Sequence, residues 1–535
     1  MVKTKSFGIL FMNCVVIDGT GNPWYKADVG VKDGKIVEIG YLKNSKAKRI
    51  IDLKGLVLSP GFVDIHTHSD LTPFVAPEAD SHIYQGVTTN VMGNCGGSVA
   101  PMSDYLKEES KLLAEHYDIK FDWNTFGEYL DKLDSMKCSI NLVPVVGQAT
   151  IRMAVMGMEN RPPTKKELEK MKKHVAEAME AGAFGLSTGL WYAPSGFAKT
   201  DEIIELAKVS TKYGGIYMSH IRGEGDPLID AVKEAIEIGE KAGLPVEISH
   251  HKAMGMRNWG KVHETLRLMQ EARNREVEVT ADVYAWTANA TGLTAMLPHW
   301  VHEGGKEAII KRLKDNETRQ KIKEDIINGI PGWESLVSEC GWSRVMITRC
   351  PIHEEYEGKM VQDLADEKKM DAYSFAFDLL IEEDCMVEIV IFSIGEDDAM
   401  YVMGHPLTMI ASDSSSISPR GYIGKGKPHP RTYGNAVQFL GAYVRDKGLM
   451  PLEQAVRKLT SLPARKIGLR DRGIIAEGMA ADLVAFDPKT VASNATYQEP
   501  HRYPTGIHYV VVNGVITIEN GKHLGKYPGK VLRKK

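Results

Sequence analysis

The chain is predicted to be an α/β protein: a (β/α)8 TIM-like barrel, a small β-sandwich domain built from both chain termini, and a lid insertion over the barrel mouth. Three observations predict it. The middle of the sequence alternates strand-like and helix-like patterns, as parallel β/α units do. Both ends carry short strands joined by tight turns. Between about residues 286 and 405 the alternation breaks. A length of 535 residues also exceeds one ordinary core, so two domains or a large barrel with attachments are required.

At the N-terminal end, Gly8–Cys14, Asp28–Lys32, Lys35–Ile39 and Lys48–Leu53 read as strands. Asp33-Gly34, set between apolar Val31 and Ile36, is a hairpin turn. The C-terminal end has the same pattern of short strands and tight turns. Ala481–Phe486 and His508–Val512 read as strands, and Asn513-Gly514 turns the chain into Val515–Ile518. Residues 1–58 and 472–535 are therefore assigned to one small β domain flanking a barrel over 59–471.

Barrel strands are expected at Val87–Met92, Ile140–Val146, Phe184–Ser187, Ile216–Ser219, Val246–Ser249, Glu278–Val283 and Thr408–Ala411. A helix over Pro163–Ala181 places Leu168, Met171, Val175 and Met179 on one face, and Gly182 stops it. Another begins at Asp226-Pro227, an N-cap followed by proline in the first helical position, with Ile229, Val232 and Ile236 inward. The interrupted region holds a charged helical stretch, Lys306–Asn328, and two strand-like runs, Val345–Thr348 and Glu388–Phe392. Long insertions of this kind commonly form active-site lids. Thr287–Pro298 and Ser414–Lys427 read as loops near the same rim.

Composition narrows the function classes. A net charge of −4 with no long basic run argues against nucleic acid and anionic membranes as partners, and Arg533-Lys534-Lys535 reads as a short solvated tail. The six cysteines form no Cys-x-x-Cys pair and no disulfide-like spacing, which suits a reducing compartment. The apolar run within Met1–Met12 is too short for a signal segment, and no stretch approaches the ~20 apolar residues of a membrane span. The expected location is cytoplasmic, as a monomer or a homo-oligomer.

The segment from Pro60 to Asp70 carries the first chemical signal. His66 and His68 lie two residues apart after the apolar run Leu56-Val57-Leu58, and side chains at i and i+2 on a strand share a face. Cys95, His220, His250 and Asp413 follow, each near the end of a later strand. Singly, each has a plain reading: a buried cysteine is usually an inert small hydrophobe, and a strand-end histidine usually a structural hydrogen-bonder. Jointly, at the same end of five parallel strands, they converge on the barrel axis, where such barrels keep their active sites. Nitrogen, sulfur and oxygen donors in this mixture suit zinc. His251, one residue out of register, is expected to point away. His116, His174 and His353 are expected at the surface, and Met153, Met156 and Met158 in packing.

These residues resemble a known family. The run from Gly61 to His68, Gln85-Gly-Val-Thr-Thr89, Gly93-Asn-Cys95-Gly, the Ser-His pairs at 219–220 and 249–250, and Ser412-Asp413 look like the D-aminoacylases, N-acyl-D-amino-acid deacylases of the amidohydrolase superfamily. The resemblance covers nearly the whole chain and includes Glu477-Gly-Met-Ala-Ala-Asp482-Leu-Val near its end. Relatives that bridge two metals with a modified lysine place it on the fourth strand. Here that strand ends Gly185-Leu-Ser-Thr-Gly-Leu, without lysine, which fits a metal-binding role for Cys95. The resemblance implies Cys95, His220 and His250 as ligands of a tight Zn2+, and His66 and His68 as ligands of a second, weaker position. It implies Asp413 as general base, Lys252 and Tyr284 as substrate contacts, and Arg431 as partner of the substrate carboxylate. Two departures stand out. The family's hydroxyl residue after the Tyr284 strand falls at Ala290, with Thr291 beside it, and the loop between Asp413 and Arg431 is longer than the family pattern.

The implied reaction is zinc-dependent hydrolysis of N-acyl-D-amino acids to a carboxylate and a free D-amino acid. Two rival readings stand beside it. A cyclic amidase of the dihydroorotase or hydantoinase type is disfavoured by the missing fourth-strand lysine. A metal-free, non-enzymatic relative would be expected to lack several ligands, whereas all six candidates are present.

Overall fold

A computed structural model describes residues 6–535; the first five residues of the N-terminal run considered for a signal segment lie outside them. The central body is a ring of parallel strands: β1 (Phe62–Asp64), β2 (Val87–Met92), β3 (Asn141–Pro144, continuing as Val146–Gly147), β4 (Gly185–Gly189), β5 (Ile216–His220), β6 (Val246–Ile248), β7 (Val279–Val283) and β8 (Thr408–Ile410). Each pairs in parallel with the next, from Val63 opposite Thr89 round to Ala281 opposite Thr408. The ring closes just beyond the strand ends, where Asp413 N donates to His66 O at 2.9 Å and Thr67 bridges Ser414.

Alternation along β5 shows how this frame aims side chains. Tyr217 packs outward against the helical layer, whereas Ile216 and Met218 belong to a separate interior cluster. His220 shares the parity of Met218 and comes at the strand's C-terminal end. Outside the ring, the helix Lys165–Ala181 starts with a reciprocal capping box between Thr164 and Glu167 and stops at Gly182, whose φ is 110°. Its Met171, Val175, Ala178 and Met179 are buried against the barrel, and Leu168 is half-buried.

Both chain termini enter one nine-stranded sheet, where Leu483–Phe486 runs antiparallel to Val57–Pro60 and joins C-terminal strands to N-terminal ones. Val57–Pro60, expected to lead straight to His66, thus belongs to this outer sheet. The barrel's own first strand follows it, with Gly61 at the joint, where a Cβ would overlap the Thr88 side chain.

The interrupted region has its own core, including Leu293, Ile347, Phe375, Leu379, Ile389 and Ile391. Its three-stranded antiparallel sheet pairs Asn289–Gly292 with Glu388–Ile391 and the latter with Val345–Arg349. Part of the segment expected as a loop at Thr287–Pro298 is therefore a strand. The charged stretch divides into helices Lys306–Lys314 and Asn316–Asn328, because Asp315 leaves helical geometry and caps the second at Thr318 N.

Two further expectations are corrected. Asp226 does not cap the helix Leu228–Ala242, since its carboxylate pairs with Arg257 at the surface. The C-terminal tail is docked, not solvated: Leu532 N donates to Leu142 O at 2.7 Å, and Arg533 reaches Asp131 at 2.7 Å. Among the described residues, no helix is long and apolar enough to cross a membrane.

Candidate metal centre

The six ligand-type residues meet at the C-terminal mouth of the ring, as their strand-end positions predict. Cys95 is the hub. Its Sγ lies 3.3 Å from His66 Nε2, 3.5 Å from His250 Nε2 and 3.8 Å from His220 Nδ1. Asp413 Oδ1 stands 3.4 Å from His66 Nε2 and 3.1 Å from His68 Nε2. One donor atom each from His66, Cys95, His250 and Asp413 lies within 4.8 Å of the others, and His220, Glu224 and His250 form a second such group.

Local backbone conformation makes this convergence possible. Cys95, His250 and Asp413 have φ values of 51°, 35° and 49°, a left-handed region that non-glycine residues seldom occupy. Such strain costs on the order of 1–3 kcal/mol per residue and persists only where the surrounding structure over-determines it. Three instances in one cluster mark a site under constraint. Glycines permit the close approach: a Cβ on Gly93 would collide with Val145 O, and one on Gly189 with Cys95 O.

Two buried carboxylates hold the imidazoles. Asp282 accepts from His250 N at 2.8 Å, and its other oxygen lies 3.3 Å from His66 Nδ1, which leaves His66 Nε2 facing the thiol. Glu224 Oε1 lies 2.8 Å from His250 Nδ1 and accepts from Lys252 Nζ at 2.7 Å. A carboxylate behind a ligating histidine fixes the ring's tautomer and orientation. Neither role was read from the sequence. Asp282 had a legible signal, since it lies near the C-terminal end of the barrel strand Val279–Val283. Glu224 sits in a loop four residues past His220, with nothing in the sequence to say where its side chain turns.

Charges in the cluster are mutually supporting. Burial opposes ionisation of the Cys95 thiol, yet the His66 and His250 rings overcome it and hold the thiol well below its ordinary value. Burial likewise works against the Asp413 carboxylate, and Arg431, His250, His68 and His66 keep it well below the usual range. His68 is desolvated but rises to about 9 through its hydrogen bond to Asp413 and the nearby thiol. Glu224, equally buried, is held low by Lys252 and His250. A thiolate, a carboxylate and imidazoles pointed at one small volume are the donor chemistry zinc takes, so these residues fit that ion.

Above the cluster opens a cavity of about 670 Å³ whose lining includes Cys95, His250, Lys252, Asp413 and Arg431. Arg431 pairs with Asp413 Oδ2 at 2.9 Å, and its guanidinium lies 4.5 Å over the Tyr284 ring. Tyr284 is buried behind Arg431 and Lys252 and is not part of the cavity lining. Arg431 Nε and the Tyr284 hydroxyl are buried without hydrogen-bond partners among the described residues. Ala290 and Thr291 both line the cavity, and the Thr291 hydroxyl lies 3.1 Å from that of Tyr192. His429 ties the Arg431 turn to Ala288 O at 2.9 Å. His251 turns away to Thr265 at 2.8 Å. Met153, expected in packing, packs on the barrel core and lines the cavity as well.

Comparison with known proteins gives one consistent picture. Residues 49–518 match the model of the amidohydrolase family. The chain is 35% identical over 530 residues to a D-aminoacylase of Alcaligenes xylosoxydans xylosoxydans, covering 99% of this chain and 98% of that one. It superposes with a TM-score of 0.83, at 34% identity and over 99% and 100% of the two chains, on a D-aminoacylase studied for its binuclear metal centre, with one-metal activation and second-metal attenuation. It is also similar to an N-acyl-D-glutamate deacylase from Bordetella bronchiseptica complexed with zinc and a phosphonate mimic of the tetrahedral intermediate: TM-score 0.82, 33% identity, 99% and 100% coverage.

Proposed function

The chain belongs to the amidohydrolase family, and from that premise we propose that it hydrolyses the amide bond of N-acyl-D-amino acids, releasing a carboxylate and a free D-amino acid. One observation supports this reading above the others: a thiolate-centred set of donors and the Asp413 carboxylate share the floor of a cavity with two cations, Lys252 and Arg431.

Cys95, His220 and His250 are the residues assigned to a tightly held zinc, with His66 and His68 framing a second, weaker position. A zinc ion held there would supply Lewis acidity, which lowers the pKa of water from ~16 toward ~7. Asp413 accepts the proton of the attacking water and directs its oxygen at the acyl carbon. It then passes that proton to the amide nitrogen as the C–N bond breaks. Its depressed pKa keeps it ionised and able to accept. Cys95 is not the nucleophile, because each neighbouring imidazole is committed to the cluster and none serves as its base.

Arg431 is suited to grip the substrate carboxylate through two parallel hydrogen bonds, with Lys252 beside it. Tyr284 acts from behind, its ring supporting both cations. A fixed carboxylate and a fixed amide leave the side chain one direction to point, which selects the D-enantiomer. The insertion over 286–405 is read as a lid, since Asn289–Gly292, Glu388 and Ile389 contribute to the cavity wall. We divide the remainder into a barrel over 59–471 and a terminal β-sandwich from 1–58 and 472–535. A cytoplasmic location fits six cysteines that are all free.

The test is a screen of N-acetyl-D- and N-acetyl-L-amino acids alongside hydantoin, with zinc quantified in the same preparation. Amine release from D-substrates is expected. Hydantoin ring opening without amine release from any D-substrate would overturn the proposal in favour of a cyclic amidase.

A further inference from the structure

The wall of the cavity away from the metal cluster carries an acid that the proposed chemistry does not use. Glu388 begins the central strand of the three-stranded sheet, directly opposite Gly292 on one side and paired with Arg349 on the other. Its side chain is exposed to the cavity and forms part of its wall. With Gly292 opposite, no neighbouring side chain covers it from that strand.

Among the described residues the Glu388 side chain makes no hydrogen bond and no ion pair. The nearest cation is turned elsewhere: the Arg349 guanidinium lies 4.2 Å over the Tyr422 ring and donates to Tyr422 O at 3.2 Å. Lys425, also on the cavity wall, pairs with Glu354 at 3.2 Å. Enclosure by the cavity walls desolvates the Glu388 carboxyl and pushes its pKa up, and Arg349 pulls it back only in part, so a cationic partner would lower its free energy.

Glu388 and Arg431 line the same cavity, so an acyl amino acid whose carboxylate pairs with Arg431 can turn its side chain toward a wall that carries an unpartnered carboxylate.

We propose that Glu388 is a specificity-determining residue, and that the preferred substrates are N-acyl-D-amino acids with long cationic side chains, those of D-lysine and D-arginine. This deepens the deacylase reading and depends on it.

The experiment compares kcat/KM for N-acetyl-D-lysine, N-acetyl-D-methionine and N-acetyl-D-glutamate in the zinc-loaded wild type, Glu388→Gln, Glu388→Lys and Arg349→Met. The lysine substrate is expected to exceed the glutamate one. Glu388→Gln should lower the lysine-to-methionine ratio about 10- to 100-fold, the range for one hydrogen bond to a charged group. Glu388→Lys should invert the lysine-to-glutamate order. Zinc content and thermal melting of each variant separate misfolding from altered selectivity. A wild type that prefers glutamate, with the preference lost in Arg349→Met, would overturn the assignment and make Arg349 the selector. So would a lysine-to-methionine ratio unmoved by Glu388→Gln. Failure to cleave any D-substrate would instead count against the deacylase reading itself.

Discussion

Replacing Glu224 by glutamine tests whether the carboxylates behind the histidines set metal affinity. The substitution keeps shape and removes charge. Glu224 is 2% exposed, and a single oxygen meets His250 Nδ1 at 2.8 Å and Lys252 Nζ at 2.7 Å. A hydrogen bond to a charged group contributes about 1.5–3 kcal/mol and a neutral one about 0.5–1.5, so each bond weakens by roughly 1–1.5 kcal/mol. The His250 share acts on a ring whose other nitrogen faces the metal cluster. A loss of that size is about tenfold in zinc affinity, at the lower end of the 10- to 100-fold usual for partners of ligating residues. The Lys252 share should appear separately, as a KM for N-acetyl-D-methionine raised by a similar factor. Zinc affinity is measured by competition with a chromophoric chelator, and thermal melting checks that the variant is folded. Wild-type affinity in a folded Glu224→Gln protein would refute the argument, because it would mean that His250 needs no anion behind it.

Three other outcomes follow from the same geometry. Cys95→Ala should lose stoichiometric zinc together with activity, and full zinc retention by metal analysis would remove the hub from the ligand set. Asp413→Asn should keep zinc and lose at least about a hundredfold in kcat, the usual size of an acid–base contribution, so near-wild-type turnover would place the base elsewhere. Arg431→Met should raise KM and also shift the pH profile. Burial raises the Asp413 pKa and Arg431 is the leading influence lowering it. Without Arg431 the folded-state pKa moves up, the base protonates at higher pH, and the acid limb of kcat/KM moves to higher pH. An unmoved limb with raised KM would confine Arg431 to substrate binding.

The barrel and the candidate ligands were legible because both depend on local pattern. Val87–Met92 was delimited to the residue, and the six barrel strands after it to within a residue or two, since buried parallel strands are short apolar runs between turn signals. Cys95, His220, His250 and Asp413 could be found because strand ends are recognisable and a closed parallel barrel sends all of them to one mouth. The strand at Asn289–Gly292 was not legible. Its polar, glycine-ended sequence has no strand propensity of its own, and it is extended because Glu388–Ile391 offers it a ladder. The division between Val57–Pro60 and Phe62–Asp64 was equally hidden, because both runs are apolar and their separation depends on which sheet each one joins.

Residue type and spacing were enough to suggest the candidate donors and the strand ends that carry them, since these are read from local periodicity along the chain. They could not specify which carboxylate stands behind which imidazole, that Tyr284 supports Arg431 from beneath, or that Glu388 faces the cavity without an ion-pair partner. Those facts arise between segments hundreds of residues apart. They are set by how loops close over the strand ends, where a few ångströms decide whether a buried charge finds its counterpart.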